Sequence, residues 1–181
     1  MKRILMSLIL LAAAPLAGAT DFDYSYVNGA YTSVSPDHGG GSLTGPEVDA
    51  SYAFMPDVHG FAGYQHVSCC SVSQNAFDLG AGWNTRLSDP VDLFIDGEFL
   101  SVNSSGNGSD TGWGATGGLR FQVARMFELD GFVTHTDVSG DTQNTLGARG
   151  LFSLDEHWRL FASYANNSDA DTFMIGARYA F

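Results

Sequence analysis

Gly112-Trp113-Gly114-Ala115-Thr116-Gly117-Gly118-Leu119-Arg120-Phe121-Gln122-Val123 is the stretch on which the fold turns. Trp113, Ala115, Gly117, Leu119, Phe121 and Val123 alternate with Gly112, Gly114, Thr116, Gly118, Arg120 and Gln122. A period of two puts successive side chains on opposite faces of an extended strand. In a soluble sheet the solvent face carries Lys, Glu or Thr. Here the apolar face is aromatic-rich, and the other face is glycine and arginine, small or charged as an enclosed lumen requires.

The same alternation recurs on both sides of this stretch. Val48, Ala50, Tyr52 and Phe54 stand against Glu47, Asp49 and Ser51; Phe77, Leu79, Ala81 and Trp83 against Asp78, Gly80, Gly82 and Asn84. Leu146, Ala148, Gly150 and Phe152 oppose Thr145, Gly147 and Arg149, and Phe173, Ile175, Ala177, Tyr179 and Phe181 oppose Met174, Gly176 and Arg178. Five further segments are less clean. The first sets Phe22, Tyr24, Tyr26 and Ala30 against Asp23, Ser25 and Gly29, then slips near Val27 and Tyr31. The segment around Phe61 to Val67 is ambiguous. Phe94, Leu100, Phe132 and Phe161 fall on the polar faces of the remaining three, which predicts phenylalanines pointing inward.

Connections alternate too. Turn-forming residues at Met55 to Asp57, Ser88 to Pro90, Ala124 to Met126 and Leu154 to Glu156 predict tight links. Longer polar loops are expected at 35–44, 68–74, 103–110, 139–143 and 166–171. Four turns and five loops join ten strands. The fold class is therefore all-β, a transmembrane antiparallel up-and-down barrel, with eight strands as the alternative if the third or ninth segment is loop.

The amino terminus predicts export. Lys2 and Arg3 precede an apolar run from Ile4 to Ala14, and Ala17-Gly18-Ala19 ends it, the order of a secretory signal peptide over 1–19. The run is too short for a spanning helix. Its removal leaves one barrel domain over 20–181, takes away the only lysine, and lowers the formal charge from −12 to −14. So acidic a chain disfavours nucleic acid as a partner. Cys69 and Cys70 are adjacent and cannot tie distant strands together.

The carboxyl-terminal Phe173, Ile175, Tyr179 and Phe181 resemble the terminal strand that the barrel-assembly machinery reads in Gram-negative outer-membrane proteins. With Tyr24 to Tyr31, Ser51 to Phe54 and Gly60 to Tyr64, the chain resembles the small OmpX/OmpA-type outer-membrane barrels of proteobacteria. The resemblance implies location in the outer membrane and an assembly route through that machinery, with lipid and lipopolysaccharide as surroundings. It implies no reaction, and the adjacent cysteines depart from it.

Candidate chemistry lies on the predicted lumen face. Arg120, Arg149 and Arg178 occupy alternate strands, with Asp96, Glu98, Asp130 and Asp23 on neighbouring ones, and buried charges of opposite sign are expected to pair. An alternative makes them the constriction of a pore. Inward Gly80, Gly82, Gly112, Gly114 and Gly118 are expected to make room for Phe94, Phe132, Phe161 and Met174, by packing or around a small apolar ligand. Loop aspartates (Asp37, Asp110, Asp137, Asp141, Asp169, Asp171) show no calcium-loop spacing. His38, His66 and His135 have Asp37 and Asp137 close in sequence, and His135 shares the lipid-side face with Asp137, but the serine of a deacylase pattern is missing. The expectation is a non-enzymatic structural or surface-interaction barrel with a mostly closed lumen, without cofactor or metal. A passive pore or hydrophobic-solute channel is the alternative, and an outer-membrane hydrolase the third reading.

Overall fold

The computed structural model describes residues 22–37, 39, 41–105 and 108–181. The expected signal peptide and His38 lie outside the described residues. Ten antiparallel strands form one closed barrel: β1 (Tyr26–Pro36), β2 (Leu43–Met55), β3 (Val58–Cys69), β4 (Val72–Ser88), β5 (Val91–Ser104), β6 (Gly108–Ala124), β7 (Phe127–Val138), β8 (Asp141–Ser153), β9 (Trp158–Asn166) and β10 (Ala170–Ala180). Each strand pairs with its neighbours in sequence, and β1 closes on β10 from Tyr26↔Ala180 to Pro36↔Ala170. Ten strands are therefore settled against eight. Closure satisfies every strand edge, the condition for spanning hydrocarbon with β-structure.

Among the described residues thirty large apolar side chains are exposed, and apart from a few in turns and at strand ends they lie on the outer face. Along single strands they run aromatic, aliphatic or small, then aromatic. Phe77 and Trp83 flank Leu79 and Ala81 on β4; Trp158 and Tyr164 flank Leu160 and Ala162 on β9; Phe173 and Tyr179 flank Ile175 and Ala177 on β10. The rings in each pair stand six residues apart, roughly 20 Å along the strand. Two aromatic girdles bracketing an aliphatic band are what the two interfaces of a bilayer select.

Inside, glycine and bulk are matched across the ladder. Phe61 pairs with Gly80, Phe94 with Gly118, Phe132 with Gly147 and Phe161 with Gly176. In each case a Cβ built on the glycine runs into that phenylalanine ring. Carboxylates use the same device: Asp78 lies across Gly63, Asp96 across Gly82 and Glu98 across Gly114. A narrow barrel has no room for two full side chains at one level, so a glycine opposite each large one keeps the wall closed.

Three expectations change. Phe22 and Tyr24 do not face lipid: β1 starts at Tyr26, Val27 and Tyr31 point outward, and Phe22 and Tyr24 are buried in the end of the barrel. Alternation alone cannot tell a lumen aromatic from a lipid-facing one, and the slip at Val27 marks the true register. The ambiguous third segment is a full strand with Phe61 and Val67 inward and Tyr64 outward, its period masked by apolar groups on both faces. The loops expected at 68–74 and 139–143 shrink to two-residue turns, Cys70-Ser71 and Ser139-Gly140. Ser139 and Gly140 both adopt the left-handed backbone (φ 54° and 91°) that a tight hairpin needs. β4 and β6, at 17 residues each, exceed the ~9–11 that cross a membrane, so the wall continues beyond the apolar band.

Candidate functional site

Register brings charges of alternating sign together. Asp92, Arg120, Asp130 and Arg149 are successive cross-strand partners on β5 to β8 and all face the lumen near the end that carries the chain termini. Arg120 is 4% exposed, so its charge needs partners. Its Nε and Nη2 donate to Glu128 Oε1 at 2.8 and 2.5 Å, and Nε stands 3.7 Å from Asp130 Oδ1. Glu128 Oε2 is 3.8 Å from Arg159 Nη1, and Arg159 also pairs with the Asp23 carboxylate.

The residues before β1 complete this end. Arg120 stacks over the rings of Phe22 and Tyr24, its Cζ 5.1 and 4.6 Å from their centroids, and Nη1 donates to the Asp23 carbonyl at 3.1 Å. Tyr24 Oη donates to Asp92 Oδ2 (3.1 Å), its ring stacks on His59 (4.7 Å), and Ser51 Oγ donates to its carbonyl (2.7 Å). Phe22 to Ser25 thus form a plug, held by cation–π, ring stacking and charge-assisted contacts.

The seven residues expected to form one network are divided by the fold. Arg120, Asp130 and Asp23 sit in the cluster at the terminal end. Arg178, 1% exposed, instead donates from Nε to Asn28 Oδ1 (2.9 Å) and stacks on Tyr26 at 3.8 Å; Asn28 Nδ2 passes the contact to Asp49 at 2.8 and 3.1 Å. Arg149 lies over the Phe161 ring at 5.3 Å, with Nε buried and without a hydrogen bond. Asp96 Oδ1 is 3.1 Å from His59 Nε2. Glu98 has no side-chain partner among the described residues. Phe173, Ile175, Tyr179 and Phe181 all lie on the outer face, exposed.

Sequence reasoning did not single out Glu128, Arg159, His59 or Asn28. Parity was the usable signal for the first two: Glu128 is two residues from Asp130, and Arg159 alternates with Phe161 and Ser163. His59 and Asn28 were hidden in the two strands whose register was unclear.

Between the plug and the hairpin end lies a cavity of about 260 Å³. Glu47, Asp49, Asp78, Asp96 and Glu98 line one side, from β2, β4 and β5; Arg149 and Arg178 line the other, from β8 and β10. Among the residues that line the cavity, six carboxylates (these five with Asp130) face three arginines (Arg120, Arg149 and Arg178). The enclosed potential is negative.

No family model and no curated protein matches the chain. Solved structures do match. The KdgM porin aligns with a TM-score of 0.53 at 13% identity, covering 85% of this chain and 99% of that one. The KdgM porin in complex with disordered oligogalacturonate gives 0.52 at 15% identity, with the same coverage. The translocator domain of the autotransporter NalP from Neisseria meningitidis gives 0.51 at 12%, covering 89% of this chain and 90% of that one. At such identities the likeness is one of fold, that of outer-membrane β-barrels.

Proposed function

We propose that the protein resides in the bacterial outer membrane as a structural or surface-interaction barrel whose lumen is shut at the end bearing the termini. The observation that carries this reading is the plug: Phe22 and Tyr24 are buried against Arg120, in the space a solute would have to cross. Lipid and lipopolysaccharide are its surroundings, the barrel-assembly machinery is its partner in biogenesis, and the OmpX/OmpA-type sequence resemblance supports the same placement. The protein is not an enzyme in this reading. His66 Nδ1 and His135 Nδ1 each contact an asparagine, Asn75 at 2.8 Å and Asn144 at 2.9 Å, with no serine in either pair.

Planar-bilayer recording tests the reading. The parent protein stays silent, and Phe22→Ser with Tyr24→Ser produces steps that favour cations, as the negative lumen dictates. Stable steps from the parent that change on Arg120→Ala would establish the second reading, a small passive pore. That reading draws on the charged cavity above the plug. The oligogalacturonate bound by KdgM is a poor guide to its solute, since the six carboxylates that line this cavity outnumber its arginines and repel a polyanion.

A further inference from the structure

We infer that the luminal cavity is a binding site for a small, extended organic cation of the linear oligoamine class. The lining carboxylates Glu47, Asp49, Asp78, Glu98 and Asp96 form a connected series. Asp49 and Asp78 flank Gly63 in one ladder row, and Glu98 and Asp96 follow on β5 opposite Gly80 and Gly82. Glu47 and Asp49 have only neutral partners: Thr32 and Gln65 donate to Glu47, and Asn28 to Asp49. Asp78 and Glu98 receive nothing from another residue's side chain. Six carboxylates, these five with Asp130, line the cavity against three arginines, Arg120, Arg149 and Arg178, so like charges outnumber their counter-ions and a bound cation relieves the remaining repulsion.

The second, independent observation is His59. It is 4% exposed and lines the same cavity, yet its Nδ1 makes no hydrogen bond. Its Nε2 lies 3.1 Å from Asp96 Oδ1 but off the line of a hydrogen bond, so that carboxylate oxygen is also without a partner. A buried polar atom left without a hydrogen bond costs free energy, and rotation of the His59 ring or the Asp96 carboxylate toward the cavity would let a bound donor recover it. An ammonium group offers three donors.

The arrangement selects the shape of the cation. Among the described residues no three His, Cys, Asp or Glu side chains converge on one point, so no ready-made divalent-ion cage is present there. The charges are spread over β2, β4 and β5 instead, which matches amines separated along a chain. Phe61 and Phe94, also in the lining, give the intervening methylenes an apolar face and the amines a π-face. The site stands whether or not the lumen conducts, because binding needs access from one end only.

The test is calorimetric titration of the detergent-folded, full-length barrel with spermidine, alongside Mg²⁺, butylamine and 6-aminohexanoate at constant ionic strength. Spermidine is expected to bind with a stoichiometry of one, at least tenfold tighter than the other three. Asp78→Asn with Glu98→Gln should weaken spermidine at least tenfold, and His59→Phe should weaken it severalfold. Neutralising repelling carboxylates favours the fold, so the double variant should unfold at a higher temperature than the parent without ligand. It should lose the upward shift that spermidine gives the parent. Equal binding of Mg²⁺ or the zwitterion, absence of saturable binding, or unchanged spermidine affinity in the double variant would overturn the proposal.

Discussion

Arg120 shows what a single residue does here: it joins Glu128, Asp130, Asp92's ladder row and the rings of Phe22 and Tyr24 at one point. Removing one partner of a buried pair leaves the other charge stranded, at a cost of about 3–5 kcal/mol. Glu128→Gln should therefore lower the urea midpoint of the lipid-refolded protein substantially, whereas the same change at exposed Glu156 should leave it unaltered. Glycines make a second set of predictions. A Cβ on Gly147 meets three atoms of the Phe132 ring, while one on Gly118 meets both the Phe94 ring and the backbone carbonyl of Gly131 at 2.6 Å. Alanine at either position should destabilise by about 1–3 kcal/mol. Phe132→Leu should rescue Gly147→Ala, and Phe94→Leu should fail to rescue Gly118→Ala, because a side chain can yield and a carbonyl in the ladder cannot. Double-mutant cycles of urea unfolding measure both.

Strands were legible where one face is uniformly apolar, as on β6, β8 and β10, and their inward residues lie where parity puts them. Legibility failed for two physical reasons. On β1 and β3 both faces carry rings or aliphatics, so period two is present but its sign is not; the same ambiguity concealed Asn28, His59 and the plug. At the hairpin end, β-pairing continues through polar stretches such as Ser101 to Ser104 and Gly108 to Gly112, where no apolar period exists to mark it. Turns at the opposite end were readable from their residue types. Three carry a β-bulge just ahead, between Ala53 and Met55, Arg86 and Ser88, and Gln122 and Ala124, a device that bends a strand into its turn. The fourth, before β9, is held by Asp155, whose carboxylate accepts from the backbone N–H groups of His157 and Trp158 at 2.8 and 2.7 Å. Those bonds hold its pKa below the ordinary carboxylate value. A depressed folded pKa contributes stability above the unfolded value and loses it as pH falls through the folded one. Asp155→Ala should thus be less stable than the parent at neutral pH, and the gap should narrow as pH drops below about 4. Urea midpoints at stepped pH check this.

At the scale of the whole molecule, the orientation of the two faces was legible in the alternation, and the contents of the lumen were not. The ends of the charged network came from parity, whereas its grouping into a plugged cluster, an Asn28 relay and an open acidic wall depends on three-dimensional register. Closure of ten strands predicts heat-modifiable electrophoretic mobility in detergent, with boiling required to reach the position of the unfolded chain; mobility indifferent to boiling would speak against a closed barrel. The most direct measurement uses the three native tryptophans, Trp83, Trp113 and Trp158, all exposed on the outer face, the first and third toward the end with the termini and Trp113 toward the hairpins. In liposomes of brominated phosphatidylcholine their fluorescence should be strongly quenched, and aqueous iodide should barely reach it. Efficient iodide quenching with no effect of bromolipid would mean that the aromatic face meets water.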